Sequence, residues 1–207
     1  MKYIIISDLH ANHKALRIFK DFLKTIDYDT IVFTGDLAGH KGTPIEFIKD
    51  FKSIKNTVAV KGNCDTDVLI HDQTIINNLF LHDYFTAILQ GPQIVNEHFA
   101  MCHGSIPFEN VYMHDINDTI SSFQYLKDNH IPLLFFGHIH IPKGYMLNRK
   151  TSEITEIKLT GEIELNKDML YLLCSGSLGK PRENQFFGNV LVYDSEKYTI
   201  QRIDLPI

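Results

Sequence analysis

The first third of the chain alternates two kinds of apolar spacing. "KYIIIS" (2–7) is a short Ile-rich run, the signature of a strand covered on both faces. Behind it, Ala15, Leu16, Phe19, Phe22, Leu23 and Ile26 recur at the three- and four-residue spacing of one helical face. "TIVFTGD" (30–36) is a second buried strand. "PIEFIKDFKSI" (44–54) puts Pro at a helix start with apolar residues three and four apart. "NTVAVKGN" (56–63) is a third strand, ending in Gly-Asn. This β-α-β-α-β order predicts a parallel sheet with helices on its faces.

Farther on, the pattern changes. "YFTAILQGPQIVNEHFAMCHG" (84–104) reads as strands broken at Gly91-Pro92, which suits antiparallel pairing. "INDTISSFQYLKDNH" (116–130) is an amphipathic helix, and "PLLFFGHIH" (132–140) another buried strand. From Lys143 on, "GYMLNR", "EITEIKL", "MLYLLCSGS", "NVLVYD" and "YTIQRIDL" are strand-like runs, separated by turn-like "NRKTSE" and "YDSEK". The expectation is an α/β protein: an αββα sandwich of two mixed sheets flanked by helices, with residues 1–207 forming one domain. No repeat, low-complexity tract or linker interrupts it.

Composition narrows the class of function. A net charge of -5, from 20 basic and 25 acidic residues, with no basic run, argues against a general binder of nucleic acid or anionic membrane. Three widely spaced cysteines, Cys64, Cys102 and Cys174, make no disulfide framework and suit a reducing compartment. "MKYIIISDLHAN" has too short an apolar stretch for a secretory signal, and no run reaches a membrane span. A cytoplasmic setting is expected; a homodimer is left open.

The polar residues at strand ends carry the chemistry. The runs end "SDLH", "TGDL", "KGNCD", "MCHG" and "GHIH", supplying Asp8, His10, Asp36, Asn63, His103, His138 and His140. In open α/β sheets the carboxyl ends of strands are where ligands bind. Residues two apart on an extended chain share a face, so Asp8 and His10 would aim at one point, as would His138 and His140. Glycines at 35, 62, 104 and 137 allow sharp turns beside them. Any one of these is weak, since an Asp at a strand end is usually a cap or turn residue. Five such ends together are another matter. Oxygen and imidazole donors suit first-row cations, and the absence of thiolates argues against a structural zinc site.

As a set, D8-x-H10, G35-D36, G62-N63, H103-G104 and G137-H138-x-H140 resemble the calcineurin-like metallophosphoesterase family. "KGNCD" and the length are similar to its small bacterial and archaeal phosphodiesterases, and the likeness runs from Met1 to about Arg182. The resemblance implies a two-sheet αββα fold and two divalent metal ions, Mn foremost, with Fe, Zn, Ni or Mg as alternatives. Asp8, His10, Asp36 and His140 would hold one ion. Asp36, Asn63, His103 and His138 would hold the other, and Asp36 would bridge them. Asp36, Asn63 and His103 would serve catalysis. The activity implied is hydrolysis of a small-molecule phosphate ester, a phosphodiester first, by a hydroxide held between the ions. The alternative on the same fold is a weak or inactive scaffold protein.

Several residues sit outside that core set. Cys64 occupies the place of a His proposed as general acid in the family's larger phosphatases, so esters with acidic leaving groups should react best. Packing is the plainer role for its side chain. Ala11 stands where Gly is common. Asn12 is a candidate substrate contact or, more simply, a helix cap; Arg182 is a candidate phosphate partner or, equally, a surface residue. His40 is a candidate for the mouth of the site or, more simply, a solvated loop histidine. In "CSGS", Cys174 and Ser175 replace the family's usual Asn-Pro. "SIPFENVYMHDIND" (105–118) is long, aromatic and follows His103, which fits either a substrate-shaping loop or a plain connection.

Overall fold

The structure, a computed structural model, describes residues 1–39, 44–78, 82–83, 93–95, 98–108 and 111–207. His40 and the Gly91-Pro92 break lie outside them.

Among the described residues, two six-stranded mixed sheets face each other. The first is built on β1 (Lys2–Ile6), flanked in parallel by β2 (Thr30–Phe33), which pairs in turn with β3 (Thr57–Ala59). On its other side β1 pairs antiparallel with β11 (Phe187–Asp194), followed by β12 (Thr199–Pro206) and β9 (Glu162–Glu164). The second sheet runs β4 (Gln93–Val95), β5 (Ala100–Cys102), β6 (Leu133–Phe136), β10 (Met169–Ser175), β7 (Pro142–Asn148) and β8 (Ile154–Ile157). Strands β4 and β5, both beyond the Gly91-Pro92 break, are antiparallel, whereas β5–β6 and β6–β10 are parallel.

Three apolar layers explain the uninterrupted Ile and Leu runs. Ile4, Ile6, Ile31 and Phe33 face outward onto Leu16 and Phe19 of α1 (His13–Phe22) and Phe47 and Phe51 of α2 (Ile45–Lys52). Tyr3, Ile5 and Val32 face inward and meet Phe135, Tyr171 and Leu173 of the other sheet. On the far side, Leu134, Phe136 and Leu172 lie against Phe123 and Leu126 of α5 (Ile120–Asp128). Alternate residues of one strand therefore both meet apolar partners, and no polar face remains to mark the period of two. Helices outside two sheets give the expected αββα order.

Two differences from the sequence reading matter. The third strand stops at Ala59, and "GNCD" turns instead into α3 (Asn63–His71), followed by the short α4 (Gln73–Ile76). Asn63 is thus the first residue of a helix, not a strand end. Asp65 causes the turn: its Oδ2 accepts a hydrogen bond from Gly62 N at 2.9 Å. Strand β9, with only three residues "EIE", was not singled out because it is a short edge strand with one apolar side chain.

Candidate metal centre

Six of the predicted donors lie on loops at one end of the sandwich, and Asn63 stands at the start of α3 beside them. The loop after β1 runs beside the loop after β2, with Asp8 N, His10 N and Ala11 N donating to the carbonyls of Gly35, Asp36 and Leu37 at 2.9–3.1 Å. The loop after β10 crosses the first of these: Leu178 N and Gly179 N donate to Ser7 O and Asp8 O, and Ser177 Oγ also donates to Asp8 O. From the second sheet, Gly137 N donates to His103 O at 2.8 Å.

The backbone that aims these side chains is not extended. Asp8, His10, Asp36, His138 and His140 have φ of 53°, 46°, 59°, 70° and 60°. All are left-handed, a region few non-glycine residues enter and one that clusters at functional sites. The expectation that Asp8/His10 and His138/His140 converge by strand alternation is therefore corrected: consecutive tight turns bring them together. Glycine serves mainly by vacating space. A Cβ on Gly137 would lie 1.9 Å from Ser7 Oγ, and one on Gly62 would lie 2.1 Å from Asp36 Oδ1.

All seven predicted donors form one chain of close contacts. His140 Nε2 is 3.2 Å from Asp8 Oδ1 and 3.2 Å from His10 Nε2. His10 Nε2 is 3.7 Å from Asp36 Oδ2, and His103 Nε2 approaches that same oxygen to 3.4 Å. His103 Nε2 lies 3.2 Å from Asn63 Oδ1 and 3.1 Å from His138 Nδ1. The side chains of Asp8, His10, Asp36, His103 and His140 are at most 6% exposed. Asp8, His10, Asp36 and His140 can place one donor atom each within 4.8 Å of one another.

This arrangement fits cations. Donors about 2.0–2.2 Å from one ion sit roughly 3–3.5 Å from each other, which is the spacing seen here. Asp8 Oδ1 is buried and has no hydrogen-bond partner among the described residues. The imidazoles are also oriented as ligands are: His103 Nδ1 donates to Thr34 O at 2.8 Å and His140 Nδ1 to Lys180 O at 2.7 Å. A carbonyl only accepts, so in neutral imidazole the proton stays on Nδ1 and the Nε2 lone pair faces the cluster.

Electrostatics separates the groups. Burial pushes the Asp8 carboxyl up, the nearby Asp36 charge adds to this, and His103 opposes it. For Asp36 burial acts upward too, but hydrogen bonding and charge from His103 outweigh it and hold the group below the usual carboxylate range. Burial would lower His103, yet Asp36 drives it up to about 9. His140 falls to about 4, chiefly by burial, with Arg182 and Lys180 pushing the same way against the Lys180 carbonyl.

Residues beyond the predicted set complete the framework. Asp65, fully buried, accepts from the backbone N–H groups of Asp36, Ala38 and Gly62 at 2.8–2.9 Å, riveting the Asp36 loop to the start of α3. Its place in "GNCD", three residues after Gly62, is the capping-box spacing and was a readable signal. Tyr112 stacks on His138, ring centroids 3.7 Å apart, so the loop after His103 does reach the site. Nothing in the sequence fixes that contact. Asn12 caps α1: its Oδ1 accepts from Ala15 N, and its Nδ2 donates to Gly179 O. Arg182 lies exposed beside the cluster, its backbone N donating to His140 O at 3.1 Å. Cys64 is buried with its N–H on Asp36 Oδ1, and burial with neighbouring carboxylates raises its thiol far above the ordinary value.

Residues 1–197 match the calcineurin-like phosphoesterase superfamily domain, and the chain belongs to that family. Its fold is that of a metallophosphoesterase from Sphaerobacter thermophilus (TM-score 0.78, 17% identity, covering 99% of this chain and 88% of the other). A structure described as a novel archaeal phosphodiesterase is also similar (TM-score 0.59, 17% identity, covering 99% and 100%). In sequence the chain is 25% identical over 218 residues to an uncharacterized protein of Methanocaldococcus jannaschii, covering 95% of this chain and 84% of that protein. No helix among the described residues is long and apolar enough to cross a membrane.

Proposed function

We propose that this chain is a metal-dependent phosphoesterase that hydrolyses a phosphodiester of a small molecule, using two divalent cations, Mn²⁺ first among them. Asp8, His10, Asp36 and His140 would hold one ion and Asp36, Asn63, His103 and His138 the other. The observation carrying this reading is Asp36 Oδ2, which faces His10 on one side and His103 on the other at 3.7 and 3.4 Å. The family and its phosphodiesterase-named structural neighbour support the reaction class.

When bound, the two ions supply Lewis acidity toward the phosphoryl group and a water acidic enough to ionise near neutral pH. The chain's own contribution is placement. The carbonyls of Thr34 and Lys180 keep two imidazoles in the ligating tautomer. Asp65 fixes the loop of the shared carboxylate to the helix that begins at Asn63. The low exposure of the donors keeps the charges in a weakly screened setting, where each is worth more. Cys64, buried and with its thiol pushed far up, is no general acid. Esters whose leaving groups need no proton should therefore turn over fastest, and alkyl esters slowly.

The test is hydrolysis of bis(p-nitrophenyl) phosphate by metal-stripped protein with and without added Mn²⁺, repeated with His138→Ala and Asp36→Ala. Activity should need the metal and collapse in both variants. Inactivity with every divalent ion tried would instead favour the scaffold alternative, and full activity in the variants would refute the assigned site.

A further inference from the structure

Beside His140, outside the donor cluster, a cavity of about 520 Å³ is lined by Asn12, Gly179, Lys180, Arg182 and Gln185 among others. We propose that this cavity receives a second phosphate group of the substrate, making the preferred substrate a phosphoester that carries another phosphate on the same molecule. The inference rests on the phosphoesterase reading above and narrows it.

Position is the first argument. Lys180 O accepts from His140 Nδ1, Arg182 N donates to His140 O, and Asn12 follows His10 by two residues. The cavity wall is therefore continuous with the backbone that holds His10 and His140, the donors on that side of the cluster.

Charge is the second. Lys180 and Arg182 both line the cavity, and neither forms an ion pair with a carboxylate of the described residues. The acid next in sequence, Glu183, is taken by Arg202 at 2.7 Å, and Arg202 also holds Asp204. Two cations without counter-charges, in a chain whose net charge is -5, make a local anion trap. A guanidinium offers phosphate a two-pronged hydrogen bond and an ammonium adds a point charge.

The third argument is rigidity. Lys180 N donates to Ser177 Oγ at 2.7 Å, which in turn donates to Asp8 O. Gly179 sits so close to the β1 loop that a Cβ there would lie 1.9 Å from Leu9 O. The cations thus hang on a loop already fixed to the backbone of Asp8, which limits the ordering cost of binding. The larger cavity between α1 and α2, about 600 Å³, lies away from the donor cluster. Its Lys20 pairs with Asp50 and its Lys24 with Asp21, and none of the seven donors lines it.

The experiment compares adenosine 5′-monophosphate with adenosine 3′,5′-bisphosphate. Both are measured as inhibitors of bis(p-nitrophenyl) phosphate hydrolysis in the Mn²⁺-loaded protein, and by calorimetric titration of the metal-free protein. The bisphosphate should bind at least about 10-fold tighter in wild type, an advantage that shrinks with added salt. In Lys180→Ala/Arg182→Ala, or the bulkier Lys180→Gln/Arg182→Gln, the ratio should fall to within about twofold while the melting temperature holds. No advantage in wild type, or one that survives in a folded double variant, overturns the proposal. A third arm adds inorganic phosphate to the monophosphate. If the two together match the bisphosphate, the cavity takes a free anion and the claim of one doubly phosphorylated substrate fails. Failure of the phosphoesterase reading looks different: bis(p-nitrophenyl) phosphate is not hydrolysed, whatever the calorimetric ratio.

Discussion

The two halves of the donor cluster use the same kinds of side chain in unlike surroundings. Asp8, His10 and His140 are flanked by the cationic loop that carries Lys180 and Arg182, although the left-handed turns they stand on are shared by His138 of the other half. Asn63, His103 and His138 draw on the start of a helix and on the second sheet, and the exposed ring of Tyr112 covers His138. Proton affinity follows the same divide. His140, held down chiefly by burial with Arg182 and Lys180 pushing the same way, stays at about 4, whereas His103, pressed against Asp36, rises to about 9. The donor list alone cannot say which imidazole is ready for a cation; the neighbours decide it.

Asp36→Asn strikes both halves at once and should have the largest effect. Asn tolerates the left-handed turn at φ 59°, so the fold should persist while kcat falls at least about 1000-fold, roughly 4 kcal/mol in the barrier. Retention of more than a tenth of the activity would remove the shared carboxylate from the account.

Asp65→Asn asks whether the halves are held in register from outside. An amide cannot accept from three N–H groups without turning its own donor on one of them. Metal affinity should weaken about 10–100-fold, and stability should fall by about 1–3 kcal/mol, read by calorimetry and denaturant unfolding.

The proton difference predicts unequal metal loading. At pH 8 His140 is neutral, but His103, with its raised value near 9, is largely protonated in the metal-free protein. A cation entering the His103 half must displace that proton. Its affinity should fall as pH drops, by about tenfold per unit below 9 for one proton released. At pH 8 the His140 half should load with little release. Calorimetry in buffers of different ionisation enthalpy separates the two steps, and equal release at both would erase the contrast.

Smaller effects fall on the walls. Tyr112→Ala should change KM for aryl esters several-fold and Tyr112→Phe very little, since stacking on His138 is worth about 1 kcal/mol. Cys64→Ser should leave kcat within about twofold, because the thiol is not the acid. A large loss would restore Cys64 to the reaction.

The sheets were legible because each strand contributes apolar side chains to two layers, so that runs such as "KYIII" and "PLLFF" cannot be surface segments. The donors were legible because their residue types are costly to bury unless they bind something. The means of convergence was not. Five left-handed residues replace the assumed strand alternation; Asp and His enter that region more readily than most side chains, but the preference is too weak to say which positions use it. The start of α3 was hidden by reading "KGN" as strand, although Asp65 marked it. Tyr112 could not be placed on His138, since that contact joins residues 26 positions apart with α5 and β6 between them.

One feature of the His140 contact bears on how such a protein diverges. Its Nδ1 proton is received by the main-chain carbonyl of residue 180, and that of His103 by the main-chain carbonyl of residue 34. Every amino acid brings the same carbonyl, so replacing the side chain at 180 leaves the instruction to the imidazole intact. Descendants of this sequence can trade Lys180 for another residue and change their choice of ester while the chemistry beside it stays tuned.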